Sequence, residues 1–263
     1  MYPEEVVDQL RKLQGRYLHE TDTGYLNLGV LENAPVKKYR TGLTDPRIVI
    51  RSALNKFLAR KAADPKSSIF EMGDKEWVMY CSDPIYSISD GSILRVLTGK
   101  GTVEEIKDVL KIVSLMLQEQ KPNKALRGCS SLRQFVDDYV GHDCNGFVFS
   151  YLRATHNYKA TSDKKCGQYR EGILRRAVQE IQELDLVFPS DGGHILIIGR
   201  IWNRTSNSIE CMISESRDPT FGGPQSHRYR VKLKDGKWDL DFLDRSEYSR
   251  KMGSIYGSPL VWD

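Results

Sequence analysis

Cys144 stands just before an apolar run, with Asn145, Gly146, Phe147 and Val148 following it, and His194 comes fifty residues later at the head of Ile195-Leu196-Ile197-Ile198. A cysteine at the start of a buried helix and a histidine at the edge of a neighbouring strand are the parts of a thiol nucleophile and its base. The helix dipole favours the thiolate, and a histidine partner favours it further. Gly146 allows close backbone approach beside the sulfur, and the Cys144 N–H can serve as an oxyanion donor. Taken alone, Cys144 also fits a small buried hydrophobe packed beside Phe147 and Val148. His194 follows Asp191-Gly192-Gly193, a turn, so it can face a groove while its strand stays buried.

A base histidine needs an orienting partner for its second nitrogen. The next strand offers Glu210, Ser214 and Glu215. Strand alternation puts Cys211, Ile213 and Glu215 on one face, and the two apolar neighbours mark it as the inner one. Glu215 is therefore the first candidate, with Ser214 and Glu210 as alternatives. The other histidines are less well placed: His19 in an N-terminal helix, His156 and His227 in polar loops, and His142 too near Cys144 in sequence to act as its base.

The elements that must hold these residues can be read from periodicity. Residues 1–20 pattern as an amphipathic helix, followed by a turn-rich stretch to Gly42. Arg47 to Ala63 reads as a helix that stops before Asp64-Pro65, and Trp77 to Tyr80 as a strand. Thr102 with Glu105 is a capping box opening a helix from Val103 to about Gln118. The polar stretch from Lys121 to Ser131 is the expected boundary, dividing a mainly helical region, 1–124, from a second domain, 125–263. The second domain begins with the cysteine helix, about Cys144 to Ala154, and a further helix from Tyr169 to Glu183. Strands are expected over Asp185–Phe188, His194–Ile201, Ile209–Glu215, Tyr229–Leu233 and Trp238–Phe242, with Asp235-Gly236-Lys237 as a hairpin turn. Helices first and a meandering antiparallel sheet after them make an α+β fold.

The chain has 263 residues, a net charge of +4 and five cysteines, Cys81, Cys129, Cys144, Cys166 and Cys211. The mild basicity favours anionic partners such as cell wall or nucleic acid without identifying one. No basic run or arginine–aromatic ladder marks a nucleic-acid module. No Cys-x-x-Cys pair exists, so zinc and thioredoxin-like chemistry are not expected, and most cysteines read as buried hydrophobes. Gly99-Lys100-Gly101-Thr102 lacks the full phosphate-loop spacing and reads as a helix-capping turn. Asp137-Asp138, Lys164-Lys165 and Arg175-Arg176 read as solvated faces. No apolar stretch has the length of a membrane span, and the start lacks the pattern of a secretory signal. Synthesis in the cytoplasm is therefore expected, with any action in the periplasm or outside reached by a non-Sec route or by lysis.

Asp143-Cys144-Asn145-Gly146-Phe147-Val148, then Leu184-Asp185-Leu186-Val187-Phe188, then His194-Ile195-Leu196-Ile197-Ile198-Gly199, resemble in order the nucleophile motif, the following strand and the base strand of the NlpC-like family of papain-type peptidases. Tyr139-Val140-Gly141 looks like the tyrosine and glycine that often precede the family's nucleophile, and Met212 to Ser216 like the strand of its third catalytic position. The resemblance covers roughly Tyr139 to Ser216. Asn145 stands where the family has serine, Leu184 where it has glycine, and glutamate is unusual in the third place.

The resemblance implies a papain-like catalytic domain and a cysteine amidase or endopeptidase that cleaves amide bonds of peptidoglycan stem peptides. Cys144, His194 and Glu215 would be catalytic, and Tyr139, Asp143 and Asn145 would bind substrate, with no metal or cofactor. Such an enzyme without a signal fits an antibacterial toxin, with an immunity protein or secretion-system carrier as partner, or a phage lytic enzyme. Two alternatives stand beside it. The same thiol machinery could act on another amide or ester as an acyltransferase or deamidase, although Cys144 preceding His194 matches the unpermuted cell-wall branch. Otherwise the chain is a non-catalytic binding module on the same fold.

Overall fold

The computed structural model describes residues 1–20, 26–40, 42–63, 88–156, 166–170, 172–189, 193–217, 222–244 and 249–257. The expected strand at Trp77–Tyr80, the stop at Asp64-Pro65, Cys81, Lys164-Lys165 and most of the Asp191–Gly193 turn lie outside them.

In chain order the elements are α1 (Pro3–Arg11), β1 (Gln14–Glu20), β2 (Leu26–Asn33), α2 (Asp45–Ala63), α3 (Asp90–Leu97), α4 (Val103–Glu119), α5 (Leu132–Tyr139) and α6 (Cys144–His156). Six strands follow: β3 (Leu186–Pro189), β4 (Leu196–Arg204), β5 (Ser208–Arg217), β6 (Gly223–Lys234), β7 (Lys237–Phe242) and β8 (Ser249–Tyr256). The fold is α+β. The chain forms two compact units, one of Met1–Arg11, Val36–Thr41 and Gly141–Asp263, the other of Lys12–Pro35 and Gly42–Val140. The division thus falls at Val140/Gly141 rather than at residue 124, and two N-terminal segments join the C-terminal unit. Backbone hydrogen bonds account for this: Val36 N–H donates to Leu10 (2.9 Å), Arg40 N–H to His142 (3.3 Å), and His142 N–H to Lys38 (3.1 Å).

In the helical unit, α4 is the best-specified element. Thr102 Oγ1 accepts from the Glu105 N–H (3.2 Å), and Glu105 Oε2 accepts from the Thr102 N–H (3.0 Å), closing the expected capping box. Ile106, Val109, Leu110, Val113, Met116 and Leu117 are buried along its length. The strands β1 and β2 form a separate antiparallel pair, Gln14 opposite Asn33. The expected helix over residues 1–20 therefore ends at Arg11. Gly15 weakens a helix there, and β2 supplies the backbone partners a strand needs. His19 accordingly lies in β1, His227 in β6, and His156 at the end of α6.

In the other unit, β3 to β8 are joined edge to edge into a closed antiparallel barrel. Pairing of β3 with β8, Leu186 opposite Tyr256, makes the closure and leaves neither strand as a free edge. Val187, Leu196, Ile198, Ile209, Ile213, Val231, Leu240 and Ile255 fill its core. The β6–β7 hairpin turns through Asp235 (φ 52°) and Gly236 (φ 71°), the two left-handed positions of a type I′ turn. Helix α6 packs across β4 and β5, and α1 lies against β4, β5 and β6.

Among the described residues, no helix runs from Tyr169 to Glu183. Short 3₁₀ turns at Cys166–Tyr169 and Val178–Glu180 flank an extended stretch paired with the end of β8. Arg175 N–H donates to Ile255 (2.8 Å) and Gly257 N–H to Ile173 (2.9 Å). Gly172 permits this approach, since a Cβ there would sit 2.3 Å from the Gly257 carbonyl oxygen. Arg175 is correspondingly not a solvated helix face. Its guanidinium grips the buried Asp185 carboxylate through two bonds of 2.9 and 3.0 Å. Asp185→Ala should cost about 3–5 kcal/mol, because it leaves the Arg175 charge buried alone. Urea unfolding measures this, and a loss below about 1 kcal/mol, the range of an exposed pair, would contradict it.

Candidate functional site

Cys144 is the first residue of α6 and is buried, 4% exposed. Asp143 caps the helix: its carboxylate accepts from the Gly146 N–H, and its carbonyl accepts from the Phe147 N–H (2.9 Å). The cap fixes where the first turn begins, and so where the sulfur and the Cys144 N–H stand. Asp143 is itself buried, and its carboxylate, expected to bind substrate, holds the nucleophile's helix. Asn145 is the second residue of the same turn and is also buried.

His194 precedes β4, and its Nε2 lies 2.6 Å from Glu215 Oε2. Register explains the pairing. Ile197 is opposite Ser214, which places Glu215 nearer the start of β4 and on the inner face with Ile213. The Glu215 side chain is 1% exposed, and Arg217 Nε lies 3.6 Å from the same carboxylate oxygen. The two alternatives are occupied elsewhere. The Ser214 hydroxyl bonds to that of Ser226 (2.7 Å), and Glu210 is paired with Arg230 (2.6 Å).

Because Nε2 faces Glu215, Nδ1 is the nitrogen left to serve Cys144, with which His194 interacts electrostatically. The Cys144 thiol pKa is pulled down to about 4. The largest cause is a hydrogen bond from the Cys166 thiol; burial opposes it, and the hydrogen bond and charge of His194, with the Tyr39 hydroxyl, reinforce it. Burial pushes His194 toward its neutral form, but the hydrogen bonds to Cys144 and Glu215 and their charges outweigh it, so its pKa is raised. Opposite shifts in the two partners favour a thiolate beside an imidazolium, the reactive form of a cysteine nucleophile. Elsewhere burial pushes the Cys129 thiol up to about 11 and the Cys211 thiol higher still.

Two site residues were not anticipated. The Tyr39 hydroxyl lies 4.0 Å from Cys144 Sγ. Its pKa is raised, first by burial and then by the charges of Cys144 and Asp143, an effect the nearby Cys144 backbone N–H partly offsets. It is therefore a protonated donor beside the N–H that an oxyanion would use. Cys166 Sγ lies 3.7 Å from Cys144 Sγ. Tyr139 belongs to the helical unit, where its ring meets Phe135 (5.4 Å between centroids). His142 does not act as a base in this arrangement. Its ring packs edge-on to Phe147, and its carbonyl accepts from the Ser216 hydroxyl (2.6 Å).

Among the described residues, no group of three or more His, Cys, Asp or Glu side chains is placed to hold a metal ion. Among the same residues, no helix is long and apolar enough to cross a membrane. The chain matches no family model, no curated protein and no solved structure.

Proposed function

We propose that the chain is a papain-like cysteine hydrolase that cleaves amide bonds of peptidoglycan stem peptides. The observation that carries the reading is the buried Glu215 carboxylate 2.6 Å from His194 Nε2, with the Cys144 thiol pKa held low by the Cys166 thiol and by the same imidazole. A buried charge so placed orients the ring and stabilises its cation, which a merely structural histidine does not need. The cell-wall substrate is supported by the motif order and by Cys144 preceding His194.

The chemistry follows from the positions. Cys144 Sγ, as thiolate, attacks the scissile carbonyl carbon, and the carbonyl electrons move to oxygen. The Cys144 N–H and the Tyr39 hydroxyl donate to that oxyanion. The intermediate collapses to a thioester as the C–N bond breaks, and His194 Nδ1–H protonates the departing amine. Neutral His194 then takes a proton from water, the hydroxide attacks the thioester, and Cys144 leaves as thiolate with His194 again cationic. Glu215 holds the ring throughout.

Removing one oxyanion donor costs about 10²–10³-fold in kcat. Tyr39→Phe should fall in that range with little change in KM, whereas a change confined to KM would make Tyr39 a substrate-binding residue only. Digestion of purified peptidoglycan by wild type, with mass analysis of the products, tests the substrate. New amine and carboxylate termini in the stem peptides are expected. Intact peptidoglycan after treatment with folded protein whose Cys144 still reacts with an alkylating probe would shift the account to a different acyl substrate. The delivery idea, a toxin or lytic enzyme acting in the periplasm, predicts lysis when the chain is directed there, and inert protein would count against it.

A further inference from the structure

Cys166 has no step in the hydrolysis above, yet its sulfur stands 3.7 Å from the nucleophile's. It opens the 3₁₀ turn Cys166–Tyr169, is only partly buried, and lies 4.0 Å from the Gly193 carbonyl oxygen, next to the base. Cys129 and Cys211 are buried, Cys211 in the barrel core and Cys129 in the helical unit. We propose that Cys144 and Cys166 are a peroxide-oxidation site, in which Cys166 resolves oxidised Cys144 into a reversible disulfide that switches hydrolysis off. The proposal rests on the reading of Cys144 as a thiolate nucleophile and is independent of which amide is cleaved.

The geometry permits the bond with little movement. The sulfurs are at van der Waals separation, and a disulfide needs them at about 2.05 Å. The chemistry closes with hydrogen peroxide as oxidant. The Cys144 thiolate attacks one peroxide oxygen, the O–O bond breaks, and the departing hydroxide takes the proton of the His194 imidazolium to become water, leaving Cys144 as sulfenic acid and His194 neutral. The Cys166 sulfur then attacks Cys144 Sγ, the S–O bond breaks, and the leaving hydroxide takes the Cys166 proton as water. Each sulfur loses one electron and the peroxide gains two. An external dithiol restores both thiols by exchange through a mixed disulfide. In the oxidised form Cys144 has no thiolate, so the site is silent. It is also shielded, because a sulfenic acid without a resolving thiol goes on to the irreversible sulfinic state.

Hydrogen peroxide treatment of the full chain at neutral pH, followed by thiol blocking and trypsin digestion, tests this without any substrate. Lys164 and Lys165 lie between the two cysteines, so cleavage there puts them on separate peptides. Wild type should yield a Cys144–Cys166 linked peptide pair that dithiothreitol separates, with full recovery of both thiols. Cys166→Ser, which keeps a hydroxyl donor to the Cys144 thiolate in place of the resolving sulfur, should instead give a dimedone-reactive Cys144, and about tenfold more irreversible loss of its thiol under the same exposure. Cys166→Ala, which also removes that donor, should form the sulfenic acid more slowly and likewise yield no linked pair. Direct passage of wild-type Cys144 to sulfinic acid, with no linked pair and with loss equal to that of Cys166→Ser, would overturn the disulfide while leaving the nucleophile reading standing. A Cys144 that peroxide does not modify at all would overturn both. Intact peptidoglycan after treatment with the reduced protein, in a chain that still forms the disulfide with peroxide, would remove only the substrate reading.

Discussion

Cys144→Ala should abolish hydrolysis, lowering kcat by on the order of a million-fold, to the floor of any practical assay. Losses of this size follow removal of a nucleophile from a machine whose other parts act through it. Without the sulfur no thioester can form, and His194 has no proton to take or return. Fold loss is not the expected cause, because the helix start is set by Asp143, whose carboxylate and carbonyl bond to Gly146 and Phe147. Deleting one small buried sulfur should cost only about 1–2 kcal/mol. A variant that keeps its unfolding transition and loses all product places the chemistry on Cys144. Product release at more than about one percent of wild type, far above the residue left when a nucleophile is removed, would move it elsewhere.

Glu215→Gln should lower kcat by about 10²–10⁴-fold, as when the charged partner of a catalytic histidine is made neutral. The substitution keeps the shape of a side chain that is 1% exposed but removes the negative charge 2.6 Å from Nε2. Two consequences separate it from a general loss of packing. The imidazolium that faces Cys144 is no longer stabilised by an anion on its far side. Arg217, 3.6 Å from the same carboxylate, also loses its counter-charge. The sign of the pH effect is fixed. His194 is raised in part by Glu215, and the reactive form needs it protonated, so activity in wild type falls as pH rises through that raised value. In Glu215→Gln the alkaline limb should move to lower pH, while the acidic limb, set by Cys144, moves less. A pH–rate profile of kcat/KM reads both limbs, and an alkaline limb left in place would mean that Glu215 only packs against the ring.

What the sequence disclosed here was local. The capping box at Thr102, the helix starting at Cys144 and the I′ turn at Asp235-Gly236 each depend on residues a few positions apart. Glu215 was legible for the same reason: strand parity alone put it on the inner face with Cys211 and Ile213. Contacts distant in sequence leave no such trace. Tyr39 reaches Cys144 from 105 residues away, and Cys166 from 22. Tyr139 read as the groove tyrosine although it precedes Cys144 more closely than the family's tyrosine does, and its ring meets Phe135 in the helical unit. The apolar periodicity after Tyr169 suggested a helix. Its Ile173 and Leu174 are in fact exposed, and the stretch lies along β8, itself unrecognised because Ser249 to Tyr256 lacks clean alternation. Asp143 shows a different limit. The motif revealed that it matters, but only the hydrogen bond to Gly146 shows that it caps the nucleophile's helix.

The central claim is a thiolate at Cys144 paired with an imidazolium, and the pH dependence of its alkylation tests that most directly. Iodoacetamide labelling from pH 3 to 10, with each cysteine followed by peptide mass spectrometry, gives a separate titration for every thiol. The account predicts that Cys144 reacts with a midpoint near pH 4. Cys129 should stay unreactive until near pH 11, and Cys211 and Cys166 should lag as well. A Cys144 midpoint near 9, the value of an unperturbed thiol, would contradict the ion pair and the hydrolytic mechanism built on it.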